Sequence, residues 1–269
     1  MRSSTGRLRA LLGEGKPAFG GWLALPTSFG AEIVSRVGLD WIGIDTQHGL
    51  IGYEAMVAML QAVAAADCPA LVRVEWNEPA AIMRALDAGA DGVIVPMVST
   101  VDQARAAVAA CRYPPEGIRS WGPVRVRLLD SAYSVASSRE PICAVMCETL
   151  EAITNLDHIL DEVAGIDIVY VGPMDLAVSL GLKPSYAAED PDHRAAMESI
   201  ASTCARHGVV AGVHCGSPEV GEQWRQAGFQ ILTVVSDIQL LEAGARGASM
   251  AARDLARHGG PAFAQPKSS

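Results

Sequence analysis

The chain has 269 residues, half of them hydrophobic, and a formal net charge of -9. This length and apolar content suffice for one large core, whereas the acidic balance argues against nucleic acid or an anionic membrane as the main partner. A small anionic substrate stays compatible, because a pocket can be locally positive on an acidic protein.

The chain carries no apolar stretch near the roughly 18 residues that a membrane span needs, and its first nine residues lack the apolar region of a secretion signal. None of its cysteines forms a C-x-x-C pair, and several lie inside apolar runs, so we expect buried free thiols. These features predict a cytoplasmic protein. The cysteines are Cys68, Cys111, Cys143, Cys147, Cys204 and Cys215.

Apolar runs typical of strands alternate with stretches of helical spacing. The predicted strands lie at 18–23, 41–44, 70–74, 92–96, 142–147, 168–171, 209–213 and 229–235. The predicted helices lie at 28–37, 53–66, 79–88, 101–111, 150–163, 176–180, 192–207, 218–227 and 238–255. Strands that alternate with helices predict a parallel sheet, and eight such units predict closure into a (β/α)8 TIM barrel. We assign residues 1–259 to this single domain and 260–269 to a disordered tail.

One stretch breaks the alternation, at residues 112–141 between the fourth helix of the barrel and the fifth strand. It is rich in proline, glycine and arginine. A connection of this length within a compact domain is usually functional. We expect it to cover the mouth of the barrel.

Residues with chemically useful side chains stand where the predicted strands end. The C-terminal ends of barrel strands share one face, and barrels of this kind carry their active sites there. A pocket that joins carboxylates, a histidine and an arginine indicates an enzyme. The residues are Asp45, His48, Arg73, Glu148 and Asp175.

Glu148 and Asp175 each follow a predicted strand and precede a helix. Two carboxylates at a barrel mouth suit a hard cation such as Mg²⁺ or Mn²⁺, with water and substrate oxygens as the remaining ligands. The alternative is that each is a carboxylate stabilised by a helix dipole. The Gly172-Pro173 step before Asp175 favours a binding site, because backbone N–H groups at a helix start can hold a carboxylate.

Asp45 and His48 lie three positions apart on one predicted loop. At this spacing the aspartate can hydrogen-bond the imidazole and fix its tautomer, which leaves the other nitrogen free to act as a base. The alternative is a structural pair that caps the next helix.

Arg73 ends the third predicted strand and needs an anionic partner there, such as a substrate carboxylate or enolate. The alternative is a salt bridge to Glu75 or Glu78. His214 ends the seventh strand, where it either lines the mouth or is buried and satisfied by backbone.

Several stretches of the sequence, in their order along the chain, resemble the HpcH/HpaI aldolase family of metal-dependent (class II) pyruvate aldolases. The resemblance runs from about residue 20 to residue 252, nearly the whole chain. The matching stretches are GLDWIGID at 38–45 with His48, RVEWNEP at 73–79, LDAGADGVIVP at 86–96, ET at 148–149 and VGPMDL at 171–176.

The resemblance implies a barrel of the phosphoenolpyruvate/pyruvate type, assembled as a homotrimer or homohexamer with the last helix exchanged between subunits. It implies a divalent metal (Mg²⁺, Mn²⁺ or Co²⁺) held by Glu148 and Asp175, and no organic cofactor. It also implies small-molecule partners only, a keto acid and an aldehyde.

The family's site residues carry over position by position. Pyruvate would be bound by Arg73 and by the segment formed by Gly172, Pro173, Met174 and Asp175. Arg73 would stabilise the enolate oxygen, His48 oriented by Asp45 would act as acid and base, and Asp87 would support His48 near a subunit boundary. The implied reaction is the reversible cleavage of a 4-hydroxy-2-oxo acid to pyruvate and an aldehyde. No lysine ends a predicted strand, so a Schiff-base mechanism lacks its nucleophile.

Three neighbours of these residues depart from the family pattern. Gln47 stands where members usually have glutamate, Met146 where they have glutamine, and Ser120 where they have glycine. These changes motivate a second hypothesis, a citryl- or malyl-type lyase or synthase that uses the same enolate. A third hypothesis, a non-catalytic barrel that binds a keto acid, is disfavoured by the intact set of polar residues.

Overall fold

Eight parallel strands close into a barrel in the order of the chain. The computed structural model describes residues 4–131, 133–135 and 141–258. The strands are β1 (Ala18–Leu23), β2 (Trp41–Asp45), β3 (Ala70–Arg73), β4 (Gly92–Val95), β5 (Ile142–Met146), β6 (Ile168–Val171), β7 (Val210–His214) and β8 (Ile231–Ser236). Each strand pairs with its neighbours in sequence, and β1 pairs with β8. The predicted (β/α)8 barrel is therefore confirmed.

Helices surround the barrel and link its strands. They are α1 (Ser4–Gly13), α2 (Ser28–Ser35), α3 (Tyr53–Ala65), α4 (Pro79–Asp87), α5 (Val101–Cys111), α6 (Val124–Leu129), α7 (Leu150–Glu162), α8 (Pro173–Ser179), α9 (Pro191–His207), α10 (Pro218–Gln226) and α11 (Asp237–His258). The sequence did not predict α1 or α6. The domain limits at 1 and 259 stay a prediction, and the predicted tail at 260–269 lies outside the described residues.

The strands have two buried faces, as their continuous apolar runs predict. On β5, Ile142, Ala144 and Met146 belong to the cluster inside the barrel, while Cys143 and Val145 belong to the cluster between strands and helices. We call the end of the barrel at the strand C-termini the mouth and the opposite end the floor. Helix α1 packs at the floor, where its Leu8 joins the interior cluster.

The described residues of the segment after α5, 112–131 and 133–135, lie at the floor, so the prediction that this segment covers the mouth is wrong for them. Helix α5 starts at the mouth after β4 and runs back along the barrel, so the chain is already at the floor when the segment begins. Contacts hold it there: Arg112 donates to the carbonyl oxygen of Pro141 at 2.9 Å, and Arg125 donates to that of Ala88 at 2.6 Å.

Helix α11 does not pack its length against the barrel. Every residue from 238 to 257 is exposed. A helix that covers its own barrel buries one apolar stripe. Here the exposed apolar side chains are Ile238, Leu240, Leu241, Met250 and Leu255.

Two further predictions concern the cysteines and membrane-spanning helices. All six cysteines are free and buried, as predicted. Within the described ranges, no helix combines the length and the apolar character that crossing a bilayer requires.

Candidate active site

An ion pair between Asp45 and Arg73 stands at the mouth. These residues end β2 and β3 and are partners in the parallel register. The guanidinium donates twice, from Nε to Oδ1 at 2.8 Å and from Nη2 to Oδ2 at 2.5 Å. Burial raises the pKa of Asp45, but the hydrogen bonds and charge of Arg73 outweigh it and hold that pKa below its usual value. Arg73 thus pairs with Asp45, not with Glu75 or Glu78 as the alternative held.

Asp45 also organises the loop that follows β2. Its Oδ1 accepts from the backbone N–H groups of Gln47 at 3.0 Å and His48 at 3.2 Å, and its Oδ2 accepts from Nε1 of Trp22 at 3.2 Å. The predicted hydrogen bond from Asp45 to the imidazole of His48 is absent from the contacts of the described residues. The carboxylate is already occupied by Arg73 and by the turn, so it fixes the backbone of His48 and leaves the ring exposed.

Glu148 is as deeply buried as Asp45, with 3% of its surface exposed. Its Oε1 accepts a hydrogen bond of 2.8 Å from the N–H of Met97. Burial raises the pKa of Glu148 to about 7, and the negative charge of Asp175 adds to the rise, while the Met97 bond and Arg73 oppose it. Met97 itself lies in the left-handed region with φ 56°, which is uncommon for a residue with a side chain.

Glu148 and Asp175 converge on the backbone of Gly172. A Cβ atom at Gly172 would lie 2.8 Å from Oε2 of Glu148, 3.2 Å from Cε of Met146 and 3.4 Å from Oδ2 of Asp175. Only glycine therefore fits between the two carboxylates. Helix α8 begins at Pro173 and presents its first turn, which contains Asp175, to the same point.

Two converging carboxylates fit a divalent cation that takes oxygen ligands. No cluster of three or more His, Cys, Asp or Glu side chains suited to a metal occurs in the described parts of the chain. A cation held here would therefore keep several positions for water and substrate oxygens. The apolar Met146 beneath the pair adds to the desolvation that makes an uncompensated charge on Glu148 unfavourable.

The mouth also contains aromatic residues, beside His214, that the sequence did not identify as site residues. Tyr186 lies against His214 with ring centroids 5.5 Å apart, and Trp22 meets the other side of His214 at 5.1 Å. The guanidinium of Arg73 lies 5.0 Å from the Trp22 ring. Burial and, to a smaller extent, the charge of Arg73 lower the pKa of His214 to about 4, so His214 lines the mouth as an uncharged ring.

Asp87 is a predicted site residue, but within one chain it lies apart from the site residues at the mouth. It ends α4 and therefore lies towards the floor, where Nη2 of Arg119 donates to its Oδ1 at 2.7 Å. His48 shares the mouth with the cluster, but its ring makes no hydrogen bond within the described ranges. Gln47 beside it has a buried Oε1 atom without a hydrogen-bond partner.

Comparison with known proteins gives one consistent answer. The family model described as HpcH/HpaI aldolase/citrate lyase matches residues 19–243. A protein of Rhizorhabdus wittichii named hydroxypyruvate/pyruvate aldolase is 37% identical, over 93% of this chain and 99% of its own length. A protein of Salmonella dublin named 4-hydroxy-2-oxo-heptane-1,7-dioate aldolase is 35% identical, over 90% of this chain and 92% of its own. The crystal structure of a family protein from Burkholderia cenocepacia superposes with a TM-score of 0.81 at 31% identity, covering 91% of this chain and 98% of that one.

Proposed function

Because the chain belongs to the HpcH/HpaI aldolase/citrate lyase family, we propose that it is a divalent-metal-dependent aldolase that reversibly cleaves a 4-hydroxy-2-oxo acid to pyruvate and an aldehyde. The observation that carries the proposal is the convergence of Glu148 and Asp175 on Gly172, beside the ion pair of Asp45 and Arg73. Relatives that match nearly the whole chain bear the names of aldolases.

Glu148 and Asp175 would hold the metal, which we expect to be Mg²⁺, Mn²⁺ or Co²⁺. When bound, such a cation supplies a Lewis acid that draws electrons from the keto group of the substrate. The raised pKa of Glu148 supports this assignment, because a buried carboxylate next to a second one is stabilised by an added positive charge.

The other residues act on the substrate directly. Arg73 donates hydrogen bonds to the oxygen that becomes negative as the C3–C4 bond breaks, and Asp45 holds the guanidinium in the orientation this needs. The backbone at Gly172, Met174 and Asp175, with Pro173 fixing the first turn, binds the carboxylate of pyruvate at the start of α8. His48 is the acid and base that removes the C4 hydroxyl proton in cleavage.

We also infer that the active form is a homotrimer or homohexamer. The uncovered apolar side chains of α11 favour exchange of this helix with another copy. Asp87 at the floor of one subunit would then support His48 of its neighbour. Light scattering should give a mass of three or six chains, whereas a monomer would contradict the inference. The cytoplasmic location stays a prediction based on the free thiols.

The test of the function is a pyruvate-release assay with a panel of 4-hydroxy-2-oxo acids, with and without EDTA. We expect turnover that EDTA abolishes, that Mg²⁺ or Mn²⁺ restores, and that Glu148→Ala lacks. Full activity in EDTA or in the variant would contradict the mechanism. Turnover of citryl- or malyl-type substrates alone would instead identify the lyase or synthase alternative.

A further inference from the structure

We propose that Trp22, Tyr186 and His214 form an uncharged wall of the active site that selects aldehydes bearing a hydroxyl group over aldehydes that end in a carboxylate or an alkyl group. We call these three residues the aromatic wall. The proposal rests on the proposed aldolase function and deepens it by naming the class of the aldehyde.

The aromatic wall is built rigidly. The Trp22 ring meets His214 edge-on, at 88° between the ring planes, and its indole N–H is held by Asp45. Tyr186 covers the other side of the imidazole at an interplanar angle of 30°. The imidazole is therefore fixed between two rings, one of which is tied to the Asp45–Arg73 ion pair.

The backbone of Tyr186 is fixed from behind. Nε1 of Trp224 donates to its carbonyl oxygen at 2.9 Å, and Nε2 of Gln223 donates to that of Ala187 at 2.8 Å. Gly216, at φ 73°, passes so close that a Cβ there would lie 2.8 Å from the Tyr186 ring. The position of the Tyr186 ring is thus set by α10 and by the loop that follows β7.

Two residues of the aromatic wall, His214 and Tyr186, have polar side-chain atoms without a hydrogen-bond partner among the described residues. Neither the ring nitrogens of His214 nor the hydroxyl of Tyr186 hydrogen-bonds any part of the chain that the structure describes. Among the described residues, the fully enclosed polar atoms that lack a partner are Gln47 Oε1, Arg119 Nε and His193 Nε2, and the atoms of His214 and Tyr186 do not belong to this set. They are therefore accessible to solvent and free to bind a ligand.

The aromatic wall borders the position proposed for pyruvate. The guanidinium of Arg73 lies 5.0 Å from the centre of the Trp22 ring, and the rings of Trp22 and Tyr186 lie 5.1 Å and 5.5 Å from that of His214. A second substrate that attacks, or is attacked by, a pyruvate held between Arg73 and Asp175 would lie against the rings of His214 and Tyr186.

The charges around the aromatic wall decide which aldehyde it accepts. His214 is neutral near pH 7, and the charge of Arg73 is already matched by Asp45. A carboxylate at the far end of an aldehyde would therefore lie near the acids of the mouth and beside a guanidinium that already has a carboxylate partner. A hydroxyl group would find both donors and acceptors, because neutral imidazole and phenol each offer the two. An alkyl end would leave these groups unpaired, which disfavours it.

The experiment compares matched aldehydes in the pyruvate-condensing direction with Mg²⁺. We expect kcat/KM to be about tenfold higher for glycolaldehyde than for acetaldehyde, the difference that one neutral hydrogen bond typically makes. We expect succinic semialdehyde to be no better than butanal. Deuterium exchange into the methyl group of pyruvate, followed by NMR, measures enolate formation without any aldehyde.

Two variants keep the rings and remove the polar atoms. Tyr186→Phe and His214→Phe should each lower the glycolaldehyde preference several-fold, while His158→Phe on the exposed face of α7 should leave it unchanged. A preference unchanged in both variants, or a preference for succinic semialdehyde over butanal, would overturn the proposal. An absence of Mg²⁺-dependent exchange in the wild type would overturn the aldolase function itself, so the two failures are distinguishable.

Discussion

Two buried acids, Asp91 at the floor and Glu148 at the mouth, have opposite surroundings. At the floor, Asp91 accepts hydrogen bonds from the hydroxyls of Ser4 and Thr5 and from the N–H of Ala70. At the mouth, Glu148 accepts one bond, from Met97, and faces a second acid. The floor acid ties α1 to the barrel, whereas the mouth acids repel each other, an arrangement that favours a bound cation over the stability of the empty chain.

The backbone of the mouth carries strain as well. Several turns at the floor that need a positive φ are made by glycine, as at Gly89 and Gly165 with φ 97° each, and one is made by Asp67 with φ 55°. At the mouth Met97 has a left-handed φ of 56°, where its side chain makes this conformation cost on the order of 1 kcal/mol. The strain aims the N–H of Met97 at Glu148. The mouth therefore carries small destabilising features that coincide with its chemistry.

The largest effect expected is on catalysis at the mouth. Glu148→Gln should lower kcat/KM by about 10³-fold, because the proposed metal site would lose a charged ligand. The melting temperature should stay level or rise, because the amide removes a buried charge beside Asp175. Initial rates of pyruvate release and calorimetry measure the two effects. A wild-type rate in this variant, or a much lower melting temperature, would contradict the contrast between Glu148 and the floor acid Asp91.

Arg73→Lys should lower kcat/KM by about 10²-fold, because a single ammonium cannot make the two parallel bonds to Asp45 and still orient towards a substrate oxygen. Steady-state kinetics measure the loss. Arg105→Lys, which keeps an exposed charge near Asp102 on α5, is the matched control and should be neutral. Equal rates in the two variants would refute the role of the ion pair.

The pH dependence of stability separates two groups of the mouth. The pKa of Glu148 is about 7 when folded and 4.5 in the unfolded reference, so the folded chain holds more protons in that window and loses stability as pH rises through it. The pKa of His214 is about 4 when folded against 6.5, so stability is lost as pH falls from 6.5 to 4. Each contribution is about 3 kcal/mol, and the two oppose each other.

Urea unfolding of metal-free protein between pH 4 and pH 7 tests this opposition. Glu148→Gln should expose the His214 contribution and lose stability towards acid. His214→Phe should expose the Glu148 contribution and lose stability towards neutral pH. Parallel profiles for the wild type and both variants would contradict the assignment.

The smallest effect on rate belongs to the floor. Asp91→Ala should cost about 2–3 kcal/mol of unfolding free energy, because it removes charge-assisted hydrogen bonds from a buried acid. The value of kcat should change less than about twofold, because the mouth is untouched. Urea unfolding and the pyruvate assay measure both. A large loss of kcat with intact stability would mean that floor and mouth are coupled.

Periodicity alone located the strands, because buried parallel strands are continuous apolar runs and each ends close to where it was predicted. The same signal placed Glu148 and Asp175 at one end of the barrel. It could not find the partner of Asp45, which depends on the register of β2 against β3. Tyr186 and Trp22 carried no local signal either, since tertiary packing alone brings them to His214. The position of the segment after α5 depends on the direction in which α5 runs, from the mouth to the floor, and the composition of the segment does not reveal that direction.

The exposed length of α11 affects the rate at which subunits of an assembly would dissociate. Its 22 residues span about 33 Å, comparable to the diameter of a small domain. If a neighbouring subunit packs around this helix, a subunit dissociates only after the contacts along the whole helix have broken. Tagged and untagged preparations should then mix over hours rather than seconds, and dilution to assay concentrations should leave the assembly intact long enough to be measured.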